Sequence, residues 1–236
     1  MPTLLLINPN TSAHVTDLLA RHATALAPAG ATLHAVTAPF GAPYIATPEA
    51  ADTATQAVPA AWQAHLADHA PPDAVLVACF GDPGVAALRA ATDVPVLGLA
   101  EVAMREADAL AAADPAGRYA IVTGGAAWGP MLEDLATRLG LRDRLAGVVT
   151  VERTGAELLA DPPGAQALLL GACHQALALG GVRAIVIGGA ALADLAAPLA
   201  PQVPVPLIDN VRAGLRAAWH AACTPNPHPS TETSRP

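Results

Sequence analysis

The chain has 236 residues, of which 53% are hydrophobic and only 3% aromatic, and its formal net charge is -8. With 12 Lys and Arg against 20 Asp and Glu, it lacks the basic face that phosphates require, which argues against a nucleic-acid partner. Three cysteines are an odd number and favour a reducing, cytoplasmic location over a disulfide framework. No stretch approaches the roughly 20 uninterrupted apolar residues that span a bilayer, so no membrane partner is expected.

Short apolar runs rich in β-branched residues alternate along the chain with alanine-rich amphipathic stretches. The runs predict strands at 3–8, 31–37, 74–79, 95–98, 119–123, 146–150, 184–188 and 205–208. The stretches predict helices at 12–27, 48–69, 83–92, 101–112, 128–139, 155–160, 164–180, 190–199 and 209–222. This alternation predicts an α/β fold with mainly parallel sheets flanked by helices and with ligands at the carboxyl ends of the strands. The proline-rich segment 224–236 is predicted to be a disordered tail.

The chain also contains a weak internal repeat. The segment 74–79 aligns with 184–189 at an offset of 110 residues, and 94–96 aligns with 203–205 at an offset of 109. A near-constant offset through two strands indicates two related lobes that face each other across a cleft. In this alignment the counterpart of Cys79 is Gly189, so one side of the cleft presents a thiol and the other does not.

The first polar motif, Ile7-Asn8-Pro9-Asn10-Thr11-Ser12, directly follows the first predicted strand. Asn and Thr are favourable N-cap residues, so the motif is explained by a turn that satisfies backbone donors. Two asparagines and two hydroxyls exceed the needs of one cap, and they could instead donate to a substrate carboxylate or carbonyl. Both interpretations stay open.

The second motif, Cys79-Phe80-Gly81-Asp82-Pro83-Gly84, follows the third predicted strand. Asp82 and Pro83 resemble an N-cap and a first helical residue, which places Cys79 just before a helix N-terminus. The helix dipole favours a thiolate there, so we predict a pKa below about 8.5 and a role as base or nucleophile. Packing is the alternative for a cysteine, and it is the preferred interpretation of Cys173, whereas Cys223 is incidental.

Other polar features carry weaker signals. The glycine pairs in Thr123-Gly124-Gly125 and in Gly188-Gly189-Ala190 permit tight turns or bring backbone N–H groups to an anion. Neither has the dinucleotide spacing, and no Walker lysine is present, so nucleotide cofactors are disfavoured. His65 and His69 have helical spacing without a third ligand, which favours a solvated helix face over a metal site. Glu101 and Asp209 are expected to cap helices or support the cleft, without a chemical step.

Three segments together resemble the hydantoin and allantoin racemase branch of the aspartate/glutamate racemase superfamily, and the resemblance extends to about residue 215. They are Ile7–Ser12, Thr37–Ile45, and Cys79–Gly84 followed by Pro95-Val96-Leu97-Gly98. The resemblance implies a cofactor-free enzyme of two pseudosymmetric α/β lobes, with the active site in the cleft between them. The expected lobes are residues 1–98 plus 209–223 and residues 99–208.

In this family one cysteine from each lobe flanks an acidic C–H, and one thiolate removes the proton while the opposite thiol returns one. Cys79 matches the first cysteine, whereas the second is expected where this chain reads Gly188-Gly189-Ala190-Ala191. The implied function is racemisation of a small C–H acid, such as a 5-substituted hydantoin, allantoin or an amino-acid derivative, by a homo-oligomer without metal or cofactor. The implied substrate-binding residues are Asn10, Thr11, Phe40, Ile45, Phe80, Gly81, Thr123, Gly124, Gly188 and Ala190.

Glycine at position 189 opens two alternatives. One is a cofactor-free decarboxylase or single-base lyase, because a single thiol serves only one face of a substrate. The other is a catalytically silent protein that binds a small carboxylate or ureide in the same cleft. If the surrounding geometry is intact, Gly189→Cys is expected to restore two-base racemisation.

Overall fold

Strands and helices alternate along the chain in the computed structural model, which describes residues 1–224 and, at positions 156 and 159, the backbone alone. The strands are β1 (Thr3–Asn8), β2 (Thr32–Thr37), β3 (Ala74–Val77), β4 (Val96–Gly98), β5 (Arg118–Gly124), β6 (Leu145–Val151), β7 (Val182–Gly188) and β8 (Leu207–Asp209). The α-helices are α1 (Ala13–Ala25), α2 (Pro48–Asp68), α3 (Val85–Ala91), α4 (Leu99–Ala111), α5 (Trp128–Arg138), α6 (Gly155–Ala160), α7 (Pro162–Ala178), α8 (Ala196–Leu199) and α9 (Asn210–Cys223). Short 3-10 helices cover Ala190–Leu192 and Ala200–Gln202.

The strands form two parallel four-stranded sheets with the same internal order. The first sheet has the order β2-β1-β3-β4 and the second has the order β6-β5-β7-β8. The central strands β1, β3, β5 and β7 are almost entirely buried because helices cover both faces. This confirms the predicted α/β fold of two similar lobes.

Each sheet is completed by a helix that follows the last strand of the other sheet. Helix α4 follows β4 of the first sheet but packs on β7 and β5 of the second, and α9 follows β8 but packs on β3 and β1. The two exchanged helices also pack on each other. The expected lobe division, 1–98 plus 209–223 and 99–208, likewise assigns α9 to the first lobe and α4 to the second. This division stays a prediction.

The internal repeat holds, but the register of its second strand differs from the predicted one. Val75 N donates to Pro95 O at 2.8 Å, and in the second sheet Ile185 N donates to Pro206 O at 3.0 Å. Pro206 is therefore the counterpart of Pro95. The predicted alignment of 94–96 with 203–205 had matched Pro95 with Pro204, two residues earlier in the chain. The sequence reads Val-Pro twice, at 203–204 and at 205–206, and only the strand pairing distinguishes the two.

The other departure from the predicted elements is the helix expected at 190–199. The structure divides it into the 3-10 turn Ala190–Leu192 and the short helix α8. Between them Asp194 has a positive φ of 71°, and its backbone N donates to Asp209 Oδ2 at 3.1 Å. The carboxylate of Asp209 also accepts from Val211 N at 2.9 Å, so it caps α9 as expected.

Two predictions concern the carboxyl-terminal tail and membrane-spanning segments. Of the predicted tail at 224–236, residues 225–236 lie outside the described residues, and Thr224 is the C-cap of α9. Among the helices of residues 1–224, none combines the length and the apolar character needed to cross a membrane.

Candidate active site

A small cavity lies between the two sheets, where the loops after β1, β3, β5 and β7 meet. Its volume is about 40 Å³. Residues from both halves of the chain line it: Asn10, Val15, Tyr44, Ile45, Ala78, Cys79, Phe80, Thr123, Gly124, Trp128, Gly155, Gly188, Gly189, Ala190, Ala191 and Leu192. Cys79 and Gly189, the two counterparts in the repeat, therefore share one cavity as predicted.

The loop after β1 uses most of its polar groups internally. The buried Asn8 donates through Nδ2 to Asn10 Oδ1 at 2.9 Å and to Thr16 Oγ1 at 3.0 Å, and Ser12 is the N-cap of α1. Asn10 Oδ1 also accepts from Ser12 N at 2.9 Å. The backbone N of Asn10 donates to Asn8 Oδ1 at 3.2 Å, whereas its side-chain nitrogen Nδ2 has no hydrogen-bond partner among residues 1–224. Because Asn10 lines the cavity, this nitrogen is available to donate to a ligand.

Cys79 is 8% exposed at the first-lobe side of the cavity. Its carbonyl accepts from Gly81 N at 3.1 Å and from Asp82 N at 3.2 Å, which closes a tight turn. Burial, with a further contribution from Asp82, raises the pKa of the Cys79 thiol to about 12. The predicted lowering of this pKa by the following helix N-terminus is wrong, because the effect of burial dominates. Helix α3 starts only at Val85, after Gly84.

The predicted N-cap role of Asp82 is also wrong, because the N-cap of α3 is Gly84. Its carboxylate turns away from α3 and accepts from Ala100 N at 2.8 Å and from Glu101 N at 2.7 Å, at the start of α4. Burial raises the pKa of Asp82 to about 7, and these two hydrogen bonds oppose the rise. Asp82 is thus a buried acid that fastens the turn after β3 to the helix after β4. Glu101 pairs with Arg89 at 2.8 Å and with Arg105 at 2.9 Å.

The second-lobe side of the cavity is a firmly held glycine turn. Thr123 Oγ1 donates to Gly188 O at 2.8 Å, and the buried Asn210 donates through Nδ2 to Ile187 O at 2.8 Å and Gly189 O at 3.2 Å. The ring of Phe80, from the other half of the chain, lies directly against Gly188. These contacts fix the backbone on both sides of Gly189.

Gly189 itself has a conformation that other residues rarely adopt. Its φ is 130° and its ψ is 128°, in a region used almost only by glycine. A Cβ at this position would lie 3.3 Å from Leu192 Cγ and 3.4 Å from Leu192 Cδ1. The local backbone conformation therefore favours glycine at position 189, and a cysteine here requires both the φ angle and the Leu192 side chain to adjust.

Tyr44 joins the two halves of the chain across the cavity. Its hydroxyl oxygen accepts a hydrogen bond from Gly155 N at 2.8 Å, between residues 111 positions apart. Burial raises the pKa of Tyr44, the bond from Gly155 offsets part of the rise, and the nearby Cys79 adds to it. Tyr44 lies within the segment Thr37–Ile45 that carries the family resemblance, but it was not among the predicted site residues.

Most of the predicted site residues meet in the cavity, and three do not. Thr11 donates its backbone N to Ala42 O at 3.1 Å, Phe40 is 44% exposed, and Gly81 packs against Trp128 behind the cavity. The residues brought together are Asn10, Ile45, Cys79, Phe80, Thr123, Gly124, Gly188, Gly189 and Ala190. The lining residues that sequence reasoning missed are Val15, Tyr44, Ala78, Trp128, Gly155, Ala191 and Leu192.

His65 of α2 and His69, the C-cap of that helix, lie away from this cavity, and the predicted solvated face is wrong for His65. His65 is buried, stacks on His69 with ring centroids 4.6 Å apart, and meets His34 of β2 at 5.0 Å. The side chain of Trp62 on the same helix is also buried. Within residues 1–224 no group of three or more His, Cys, Asp or Glu side chains is arranged to hold a metal ion.

Comparison with known proteins places the chain among racemases. The sequence model for the Asp/Glu/hydantoin racemase family matches residues 4–218. A hydantoin racemase of Paenarthrobacter aurescens is 31% identical over 216 residues, covering 91% of this chain and 89% of that protein. One from Pseudomonas sp. strain NS671 is 35% identical over 146 residues, covering 62% of this chain and 57% of that protein. The solved structure of an allantoin racemase from Klebsiella pneumoniae has a TM-score of 0.82 at 30% identity, covering 93% of this chain and 87% of that one.

Proposed function

Because this chain belongs to the Asp/Glu/hydantoin racemase family and is an enzyme of that type, we propose that it racemises a small C–H acid without a cofactor. The substrate class is a 5-substituted hydantoin, allantoin or a related amino-acid derivative. The observation that carries this proposal is the position of Cys79, a thiol that lines a small cavity between two similar lobes. In the proposed reaction the Cys79 thiolate removes the proton next to the substrate carbonyl.

The surroundings of Cys79 suit a demanding proton abstraction. A C–H next to a carbonyl is a weak acid, so a more basic thiolate gives the proton transfer a larger driving force once it has formed. Burial supplies this property by raising the pKa of Cys79 to about 12. The charge then moves to the carbonyl oxygen of the substrate, where the unpartnered amide nitrogen of Asn10 can donate to the enolate.

Gly189 keeps single-base chemistry as a second candidate. The turn at Gly189 carries no side chain and is held in a glycine conformation, so no thiol can return a proton from that position. A decarboxylase or lyase needs a proton delivered on one face only, which Cys79 can perform alone. A silent binding protein would use the same cavity without any proton transfer.

Exchange in deuterium oxide distinguishes these candidates. Enantiopure L- and D-5-methylhydantoin are suitable probes because methyl is the smallest alkyl group that makes carbon 5 of a hydantoin chiral. Exchange with inversion supports the racemase, exchange with retention supports single-base chemistry, and saturable binding without exchange supports the binding protein. Removal of a positioned base costs about 10²- to 10⁴-fold in rate, so Cys79→Ala should lose the activity to that extent.

The matched control is Cys223→Ala, since Cys223 is exposed at the end of α9 and lies outside the cavity. Its rate should equal that of the parent, after subtraction of spontaneous racemisation. An unchanged rate in Cys79→Ala would contradict the assignment of Cys79, whatever the fold. The cytoplasmic location and the homo-oligomeric state stay predictions from the sequence.

A further inference from the structure

A second ionisable side chain, that of Tyr44, lines the cavity and contacts its second-lobe side. Cys79 follows β3 of the first sheet, whereas the hydroxyl of Tyr44 is bonded to Gly155, which follows β6 of the second sheet. A Cβ placed on Gly155 would contact both the Tyr44 hydroxyl and the Cβ of Ala191, the latter at 3.3 Å. The phenol therefore lies beside the turn that follows Gly189, on the side where the family resemblance expects the second cysteine.

The hydroxyl of Tyr44 is free to transfer its proton. In its bond with Gly155 the oxygen is the acceptor, and the hydroxyl proton has no acceptor among residues 1–224. Among the lining residues of the cavity within the described residues 1–224, Cys79 and Tyr44 are the two with an ionisable side chain. The other hydroxyl, on Thr123, already donates to Gly188 O. The free amide of Asn10 is a hydrogen-bond donor but not an acid.

We propose that Tyr44 is the catalytic acid–base residue on the second face of the substrate, where it takes the role of the absent cysteine. This inference rests on the proposed racemisation. In one direction the Cys79 thiolate takes the C–H proton, and the electron pair of that bond moves into the carbonyl to form the enolate. The same carbon then takes the proton of the Tyr44 hydroxyl on its opposite face, so a new C–H bond forms and a phenolate remains.

The reverse direction uses the same two groups with their roles exchanged. After the first direction Cys79 is a thiol and Tyr44 is a phenolate, and this form removes the proton from the opposite enantiomer. Transfer of one proton from the thiol to the phenolate through water, after product release, restores the starting form. No oxidant, metal or cofactor is needed for the balance.

Enantiomer-resolved exchange in deuterium oxide tests the assignment. In the parent, both L- and D-5-methylhydantoin should exchange with inversion. In Tyr44→Phe inversion should fall about 10²- to 10⁴-fold, while the enantiomer whose C–H faces Cys79 still exchanges, with retention. In Cys79→Ala only the other enantiomer should exchange.

The outcomes separate this inference from the proposed function. If the parent neither exchanges nor inverts either enantiomer, the proposed function fails. If the parent inverts both and Tyr44→Phe inverts them at the parental rate, racemisation stands and the role of Tyr44 is wrong. Equal loss of exchange for both enantiomers in Tyr44→Phe also overturns it, because that result describes a supporting contact. Tyr119→Phe is the matched control, since the Tyr119 hydroxyl donates to Leu141 O in the second-lobe core.

A second measurement covers the case in which Tyr44→Phe does not fold. The chain has two tyrosines, Tyr44 and Tyr119, so Tyr119→Phe produced with 3-fluorotyrosine carries the analogue at position 44 alone. Fluorine makes the phenol more acidic with little change in size. The pH–rate profile of racemisation should then shift to lower pH relative to unlabelled Tyr119→Phe. An unshifted profile would overturn the proton transfer by Tyr44.

Discussion

Restoring the absent cysteine should cost stability, and the backbone of Gly189 gives the magnitude. A residue other than glycine held near φ 130° and ψ 128° carries about 1–3 kcal/mol of strain. The new Cβ would also press on Leu192 at 3.3 Å. For a protein of this length, 1 kcal/mol corresponds to about 2–4 °C in Tm. Gly189→Cys is therefore expected to melt about 2–12 °C below the parent.

The assay is thermal unfolding followed by circular dichroism, in reductant at neutral pH. Gly189→Ala should lose nearly as much stability as Gly189→Cys, because the strain comes from the Cβ and not from the thiol. Gly171→Cys is the matched control, since Gly171 lies inside α7 and its added Cβ would meet no atom within 4 Å apart from its chain neighbours and the adjacent helix backbone. A Cβ there should preserve or raise Tm because glycine is a poor helix residue. Equal melting temperatures for Gly189→Cys and Gly171→Cys would refute the strain argument.

Three further predictions concern titratable side chains. The racemisation rate, corrected for spontaneous racemisation, should rise about tenfold per pH unit between about pH 6 and 9, because the thiolate fraction of Cys79 rises in that proportion below a pKa of about 12. A plateau near neutrality would contradict the raised pKa of the buried thiol. A short iodoacetamide pulse with residue-resolved mass spectrometry should label exposed Cys223 first, while Cys79 and Cys173 react slowly because burial raises the pKa of each; faster labelling of Cys79 would reverse the conclusion. Burial, His34 and His69 lower the pKa of His65. The stability that neutral His65 contributes is therefore complete above the unfolded-state pKa of about 6.5 and is lost as the pH drops below it. His65→Gln should reduce the loss of Tm on acidification, and an unchanged loss would exclude this contribution.

The sequence predicted the order of the strands and helices because each signal was local. Apolar runs and amphipathic stretches place all eight strands of the described chain within a few residues of the observed bounds. The repeat also predicted that Cys79 and Gly189 would meet, since equivalent strand ends face one another across two related lobes. These successes depend on patterns that continue over many neighbouring residues.

The failures concern interactions between residues distant in sequence. Asp82 caps a helix that begins about eighteen residues later, and a Pro directly after it made a cap of the nearer helix the simpler choice. The raised pKa of Cys79 follows from burial, which depends on the packing of both lobes. Tyr44 enters the site through a hydrogen bond to Gly155, and nothing in the sequence near either residue marks that pair.

The exchange of α4 and α9 between the sheets has a consequence for biosynthesis. The face of the first sheet that receives α9 is completed by Val211, Leu215 and Trp219, whose indole donates to Ala23 O at 3.0 Å. These residues leave the ribosome after the whole second sheet has been made. The amino-terminal half therefore cannot fold to completion as it emerges. One apolar face of its sheet stays uncovered until α9, the last helix of the described chain, has been synthesised. Circular permutants that begin at α9 should remove this delay.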